Sequence, residues 1–538
     1  MKSFFKQNFL NIVLIILLGL FTYFAIVKRA PINMDEFTQY HPIICNNYEF
    51  NKLNIFREAC GMYDLVLPGT TTALPLRSYF YTGSLASLYY FPLFSIWQSP
   101  DSARMMGYVF ILLQAWVLGK ILKQKFAYTL IGLVAFFPYF YQMIIDTGLV
   151  QFYTTAVLFC CYFIERWFDT RKLKYIVGVG LLLFLNVYSK LAFVFCVPAL
   201  LVMFLFYAWK NRLTIVLNLP KLVRQAIIAG LIMGFLLAIY FLSTSTTDSS
   251  VHPILAEVGR ASHSLAEMLQ LSTYLNSELL RRFFSPLEAT SRGYEMQKIG
   301  LIPIIYSAIL FGFPILTVCI QFIKQLLKKG RVNTRVVVSM IAFVVTTFLL
   351  FKSLDTRHMH HVMMAFPFLV LAWGYSIGDL IGRFRRVGII FLIGFVLFNG
   401  YFYLTFTNQK VLIYDDISKI RVNEILNNDY LASKYFYVNT NWGTHFYQAL
   451  YGPKQQSVLY VEEFLTDESV MDKLAQYPNK YERSLLYIYD KKVPNTKSEL
   501  LHFDSTLVEC SLTNELDVWG ILIPSNMEDG NPCKYQGF

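Results

Sequence analysis

Two adjacent carboxylates, Asp35 and Glu36, stand in the run Asn33-Met34-Asp35-Glu36, a few residues beyond the first apolar stretch of the chain. Carboxylates held at a membrane surface under a long loop carry a solvation cost that an ordinary loop has no need of. Near a hydroxyl such a group can act as a general base, and it can bind a divalent cation such as Mg2+ or Mn2+. The same pair could equally be solvated, or cap a helix that follows. A lone carboxylate, Asp146, closes the run Gln142-Met143-Ile144-Ile145-Asp146 between two apolar stretches. An ionisable residue there is a functional candidate or the N-cap of the next helix. Asp35 is also a candidate metal ligand.

Cations form the second set. Arg77 lies in Leu74-Pro75-Leu76-Arg77-Ser78-Tyr79, and Lys190 in Tyr188-Ser189-Lys190 between two apolar stretches. A cation in such a place either snorkels to the interface or holds an anion, and a lipid phosphate is the obvious one. Asp355-Thr356-Arg357-His358-Met359-His360-His361 precedes another apolar stretch. His358, His360 and His361 lack a firm helical ligand spacing. Phosphate contact by Arg357 and substrate contact by His358 or His361 therefore fit better than a metal site. Tyr79 is a further candidate substrate contact.

The elements that must position these residues are membrane helices. The chain has 538 residues, 55% hydrophobic and 17% aromatic, with a net charge of +12 and a mean hydropathy of +0.45. Repeated long apolar stretches point to a polytopic membrane protein. The positive charge does not indicate nucleic acid, because it clusters in short loops between apolar stretches. Apolar windows fall near 9–27, 79–97, 103–119, 127–143, 147–164, 175–189, 191–208, 225–242, 299–323, 336–351, 361–378 and 387–406. The first has no small-x-small cleavage site after it and reads as a retained span rather than a signal peptide.

Five basic loops follow alternate windows: Lys120 to Lys125, Arg166 to Lys174, Lys210 to Arg224, Lys324 to Arg335, and Arg383 to Arg386. The positive-inside rule places all five in the cytoplasm. With the N-terminus inside, one early window cannot cross. The aromatic segment 79–97, with Gly83 and Pro92, is assigned to the interface. About eleven spans result, in an inner (plasma) membrane, with the N-terminus cytoplasmic and the C-terminus outside. The alternative puts the N-terminus outside and lets 79–97 cross.

The polytopic module is assigned to 1–407, with a first outer loop at 28–102 and a second at 243–298. The second loop contains an amphipathic stretch from Leu265 to Phe283, which suits a helix on the membrane surface that gates a lipid site or simply covers the bundle. Composition changes at about 408. Strand-like runs at 435–438, 457–461, 485–489 and 518–523 alternate with helix-like ones, so 408–538 reads as a small soluble α/β domain outside the cytoplasm. Cys45 and Cys60 share the first outer loop, and Cys510 and Cys533 share the tail. These are disulfide candidates in oxidising space. The other four cysteines fall in spans. No internal repeat or low-complexity segment is evident.

This order of features resembles the GT-C superfamily of membrane glycosyltransferases, in its bacterial branch with protein mannosyltransferase-like and aminoarabinose transferase-like members. The likeness covers most of 1–407. It is carried by Asp35-Glu36 after the first span, Leu74-Pro75-Leu76-Arg77-Ser78-Tyr79 as the entry to a juxtamembrane helix, and Ser102-Ala103-Arg104 opening the second span. Phe137-Pro138 through Asp146, Ser189-Lys190, and Arg357 to Pro367 complete it. The family's second proline is missing before Arg77, and Arg77 stands where a lysine is common.

The resemblance implies transfer of a sugar from a polyprenyl-phosphate donor to a lipid, glycan or protein acceptor outside the cytoplasm. Asp35 would then be the general base, and Glu36 would assist it or bind metal. Asp146 would bind metal or orient substrate. Arg77, Lys190 and Arg357 would hold the donor phosphate. Some members use a divalent cation. Three other functions are weighed against it. An O-antigen polymerase or ligase also has many spans and a large outer loop, but the early acidic pair favours the transferase. A transporter or flippase would carry charge at mid-membrane and internal repeats, whereas these spans are nearly free of charge and show no repeat. A structural assembly subunit would tolerate neutralising Asp35.

Overall fold

Long apolar stretches must satisfy their own backbone when no water is present, and the helix does so within one segment. In the computed structural model, residues 2–28, 62–66, 69, 73–79, 82–83, 85–97, 100–136, 139–145, 149–244, 302–327, 332–353, 363–408, 435–439, 458–460, 484–490, 496–510 and 519–524 are described. Asp35, Glu36, Cys45, Cys60, Asp146, Arg357, His358, His361 and Cys533 lie outside them, as does the second loop from 245 to 298.

The chain divides into two units. The first comprises Met1–Ala30 and Ala103–Lys410, and the second Pro31–Ser102 and Val411–Phe538. The first unit is helical. It opens with α1 (Lys2–Thr22), which passes into a π-helical turn over Tyr23–Val27. We number the further helices in chain order, with α2 lying in the second unit. They are α3 (Pro100–Leu122), α4 (Phe126–Ala135), α5 (Tyr139–Ile145), α6 (Leu149–Thr170), α7 (Leu173–Ser189), α8 (Cys196–Lys210) and α9 (Arg212–Thr244). After these come α10 (Ile302–Leu326), α11 (Thr334–Ser353), α12 (Phe366–Arg383) and α13 (Arg385–Asn408). Each of them falls on a window of apolar sequence.

Among the described residues, four helical stretches are long and apolar enough to cross a membrane: Asp101–Leu122, Phe193–Lys210, Leu219–Ala238 and Ile309–Leu326. The window 127–143 is not one straight helix but the pair α4 and α5, bent by 85°. Phe137-Pro138 stands between them, and proline both lacks the N–H a helix needs and disfavours helical backbone at the residue before it.

α12 is the centre of the bundle. Phe366 through Trp373 are all buried, as expected of a helix covered on every side. The Trp373 indole nitrogen donates to the Leu310 carbonyl of α10 at 2.7 Å. Its ring also meets Phe136, Phe313, Phe391 and Phe395 at centroid distances of 4.5–6.2 Å. The outer surface is the reverse of a soluble protein's. Leu201 and Leu205 on α8, and Ile227, Leu231 and Phe235 on α9, point outward at four-residue spacing, half exposed or more. Such an apolar face suits a hydrocarbon surrounding.

The second unit holds two sheets. β1 (Met62–Val66), β2 (Ala73–Tyr79) and β3 (Thr82–Gly83) form an antiparallel meander, and α2 (Leu85–Ile96) follows it. The expected interfacial segment from 79 is therefore a strand end, with helix starting at Leu85. β4 (Tyr435–Asn439), β5 (Val458–Tyr460), β6 (Ser484–Asp490), β7 (Leu507–Cys510) and β8 (Trp519–Pro524) form a mixed sheet in the order β5-β4-β6-β8-β7. α14 (Thr496–Phe503) sits between β6 and β7 in sequence. β4 runs parallel to β5 and β6, and β8 antiparallel to β6 and β7. Leu485 through Tyr489 of β6 are buried in succession, the pattern of a strand covered on both faces.

Candidate active site

Four chain segments that lead into or out of the candidate residues come together in the helical unit. The first is the end of α1, which leads toward Asp35 and Glu36. The second is the end of α5, one residue before Asp146. The third is Lys190 itself, and the fourth is the turn Met363–Ala365, which follows the Arg357–His361 stretch.

The end of α1 is held by Arg104. This arginine on α3 is only 1% exposed, and its Nη1 donates to the Val27 carbonyl at 2.9 Å. A helix leaves its last carbonyls without intrahelical partners, and a buried guanidinium satisfies one of them with a charge-assisted bond. Tyr108, one turn along α3, donates through its hydroxyl to the Ile15 carbonyl at 2.7 Å. α1 is thus fixed to α3 at two heights. The π-helical turn Tyr23–Val27 also packs on α5, so the chain leaves α1 beside the helix that ends at Ile145.

α5 is fixed to α3 and α6 by a buried polar network. The Tyr139 hydroxyl donates to Gln114 Oε1 at 2.8 Å. Gln114 Nε2 donates to the Thr155 hydroxyl at 2.9 Å and to that of Thr154 at 3.2 Å. Gln151 Nε2 donates to the Met143 carbonyl at 2.8 Å. Gly107 makes this contact possible, because a Cβ on it would overlap both the Met143 carbonyl oxygen and Gln151 Nε2. Inside a bundle each of these groups would oppose folding if unpaired, so the closed set specifies one packing.

Lys190 and the Met363 turn meet at Tyr153. The α7 helix ends at Ser189, and Lys190 takes an extended backbone at φ −155° and ψ 126°. Its N–H returns to the Asn186 carbonyl at 3.1 Å, and its own carbonyl accepts from the Phe193 N–H at 2.9 Å. A 3-10 turn over Leu191–Phe195 follows. The Phe193 ring lies 4.4 Å from that of Tyr153 on α6. The Tyr153 hydroxyl donates to the Met364 carbonyl at 3.0 Å. Met363, Met364 and Ala365 are all buried, at 0–1% exposure.

Of the residues expected to act, Lys190 is thus brought beside the segment that follows Arg357. Arg77 and Tyr79 lie on β2 in the other unit. Arg77 pairs with Met62 on one side and Gly83 on the other, with a register shift between Arg77 and Tyr79. Cys510 ends β7, while Cys160, Cys161, Cys196 and Cys319 are free. Among the described residues no group of three or more His, Cys, Asp or Glu side chains could hold a metal ion. Reading the sequence did not single out Tyr153, Gln114 or Gln151. Their only signal is a polar or hydroxyl-bearing residue within an apolar window.

Comparison with known proteins follows from this geometry. The sequence matches no family model and no curated protein. The structure is similar to that of ArnT from Cupriavidus metallidurans bound to undecaprenyl phosphate. The TM-score is 0.52 at 11% identity, over 97% of this chain and 99% of that one. The chain shares the fold of this structure, in keeping with the GT-C resemblance of its sequence. The archaeal oligosaccharyltransferase AglB from Archaeoglobus fulgidus, in complex with an inhibitory peptide and a dolichol-phosphate, is similar at a TM-score of 0.42 and 11% identity, over 98% of this chain and 75% of that one. The end of the bundle gathered around Tyr153 and Arg104 is the candidate active site.

Proposed function

We propose that this chain is an integral membrane glycosyltransferase. It moves a sugar from a polyprenyl-phosphate donor to a hydroxyl of a lipid, glycan or protein acceptor on the extracytoplasmic face. The observation that carries this reading is the convergence, within a GT-C fold, of the segments flanking the acidic pair, Asp146, Lys190 and the Arg357 stretch. The ArnT structure it resembles is bound to undecaprenyl phosphate, which supports the donor class. About eleven spans, a cytoplasmic N-terminus and an extracytoplasmic C-terminal domain complete the proposal, on the strength of the basic loops.

In this mechanism Asp35 accepts the proton of the acceptor hydroxyl as the oxygen attacks the anomeric carbon. The new carbon–oxygen bond forms as the bond to the phosphate oxygen breaks, and the phosphate departs with that electron pair. Its growing negative charge is stabilised by Arg77, Lys190 and Arg357. In-line attack inverts the anomeric centre. Glu36 supports Asp35, and Asp146 orients substrate. Asp35 and Asp146 would be the ligands of a divalent cation, which would supply further positive charge to the leaving phosphate.

The test is transfer of labelled sugar from total membrane polyprenyl-phosphate sugars, comparing wild type with Asp35→Asn at equal expression. Loss of transfer in a folded variant supports the reading. Unchanged transfer, or none in either protein, moves it to a polymerase, a transporter or an assembly subunit.

A further inference from the structure

α7 ends on two buried polar side chains that no described residue satisfies. Asn186 and Ser189 are both 0% exposed. Neither Asn186 amide atom, nor the Ser189 hydroxyl, has a hydrogen-bond partner among the described residues. The two positions are three apart and therefore neighbours on the helix surface. Ser189 lies on the side of α7 that carries Gly178, whose Cβ position would be 2.9 Å from the Phe163 ring of α6. That side of α7 faces the helix that holds Tyr153. Lys190 comes next, and its N–H is bonded to the Asn186 carbonyl. The end of α7 and the residue that follows it therefore carry an amide, a hydroxyl and an ammonium group.

An amide buried in an apolar bundle without partners opposes folding, and a leucine of similar volume would carry no such cost. What would satisfy it is set by its chemistry. The Asn186 Oδ1 needs a donor and its Nδ2 needs an acceptor. An ionised phosphate diester only accepts. A sugar hydroxyl does both, and so does the Ser189 side chain that would share it.

We propose that Asn186 and Ser189 bind ring hydroxyls of the donor's sugar, beside the phosphate held by Lys190. This inference rests on the polyprenyl-phosphate donor proposed above and adds the residues that read the sugar.

Full-length protein in lipid nanodiscs is titrated with undecaprenyl phosphate and with its glucosyl, mannosyl and aminoarabinosyl derivatives. Wild type, Asn186→Ala, Ser189→Ala and Lys190→Ala are compared. At least one sugar-bearing probe is expected to bind wild type about tenfold tighter than the bare lipid phosphate, the scale of one or two added hydrogen bonds. Asn186→Ala and Ser189→Ala should remove most of that preference and leave bare undecaprenyl phosphate unaffected. Lys190→Ala should weaken every probe. If Asn186→Ala does not fold, Ser189→Ala, which removes a single hydroxyl, carries the same comparison. A wild type without preference for sugar, or variants that change all probes alike or none, overturns the inference while the donor class stands. A wild type that binds none of the four probes overturns the donor class and this inference with it.

Discussion

The Tyr153 hydroxyl donates to the Met364 carbonyl at 3.0 Å, across 211 positions of sequence. With the Phe193 ring against its own, Tyr153 joins α6, the turn after Lys190 and the turn after the Arg357 stretch. The turns that follow two candidate phosphate-binding residues are therefore joined by one phenol. Tyr153→Phe keeps the ring packing and removes only the hydroxyl bond. It should lower stability by about 1–2 kcal/mol, since the Met364 carbonyl is left buried. It should also reduce sugar transfer more than that loss of fold explains. Thermal unfolding and transfer assays on the same purified variant check both.

Arg104 is the counterpart at the end of α1. Arg104→Met should loosen the end of α1 and cost about 2–3 kcal/mol, the range for a hydrogen bond to a charged group. Arg104→Lys, which keeps the charge but not the planar fork, should recover part of it. Protease sensitivity of the chain just after Val27 would report the loosening directly. Equal resistance in wild type and Arg104→Met would contradict the anchoring role.

Gly107 tolerates no side chain. Gly107→Ala should push α3 away from the Met143 carbonyl and disrupt the Gln151 bond, a cost of about 1–3 kcal/mol typical of overpacking. The measurement is folded yield in detergent by size-exclusion chromatography. A normal yield and unfolding temperature would mean that α3 and α5 are not held as closely as described.

Glu165 and Arg335 pair at 2.8 Å, and the guanidinium lies 5.5 Å from the Tyr375 ring centroid. Glu165 is 12 residues beyond Tyr153 on α6, about 18 Å along the axis, far from the candidate site. Removing one partner leaves a partly buried charge. Glu165→Leu alone should therefore cost about 1–3 kcal/mol, less than a fully buried pair because Arg335 keeps 25% of its side chain exposed. The double variant with Arg335→Met should cost less than the sum of the two. A double-mutant cycle on unfolding temperature measures this, and simple additivity would rule out the coupling.

The phosphate roles predict a distinct kinetic pattern. Arg77→Ala should raise the apparent KM for the lipid-linked donor at least severalfold, through loss of an ionic contact. An unchanged donor KM would remove Arg77 from the donor site.

Much of the helical unit was legible in the sequence. A membrane helix satisfies its backbone within one segment, so each apolar window reports a helix without knowledge of its neighbours. The strands β4, β5, β6 and β8 were legible for a similar reason, as short aromatic and β-branched runs between polar ones. The break between α4 and α5 was not, although Pro138 marked the place, because hydropathy alone does not distinguish a straight span from a bent pair. β7 was missed because Leu507–Cys510 is only four residues long and includes Glu509.

The sequence by itself determined which residue types could act: the Asp35-Glu36 pair, Asp146, and the cations Arg77, Lys190 and Arg357. Titratable side chains stand out against apolar stretches by composition alone. Only the tertiary structure decided that Val27 ends against Arg104, that Met143 meets Gln151, and that Tyr153 joins Phe193 to Met364. The same is true of Asn186 and Ser189, which in sequence are ordinary polar residues at the end of an apolar window. Their lack of partners appears only once α7 is packed, because burial and pairing depend on residues far apart in the chain.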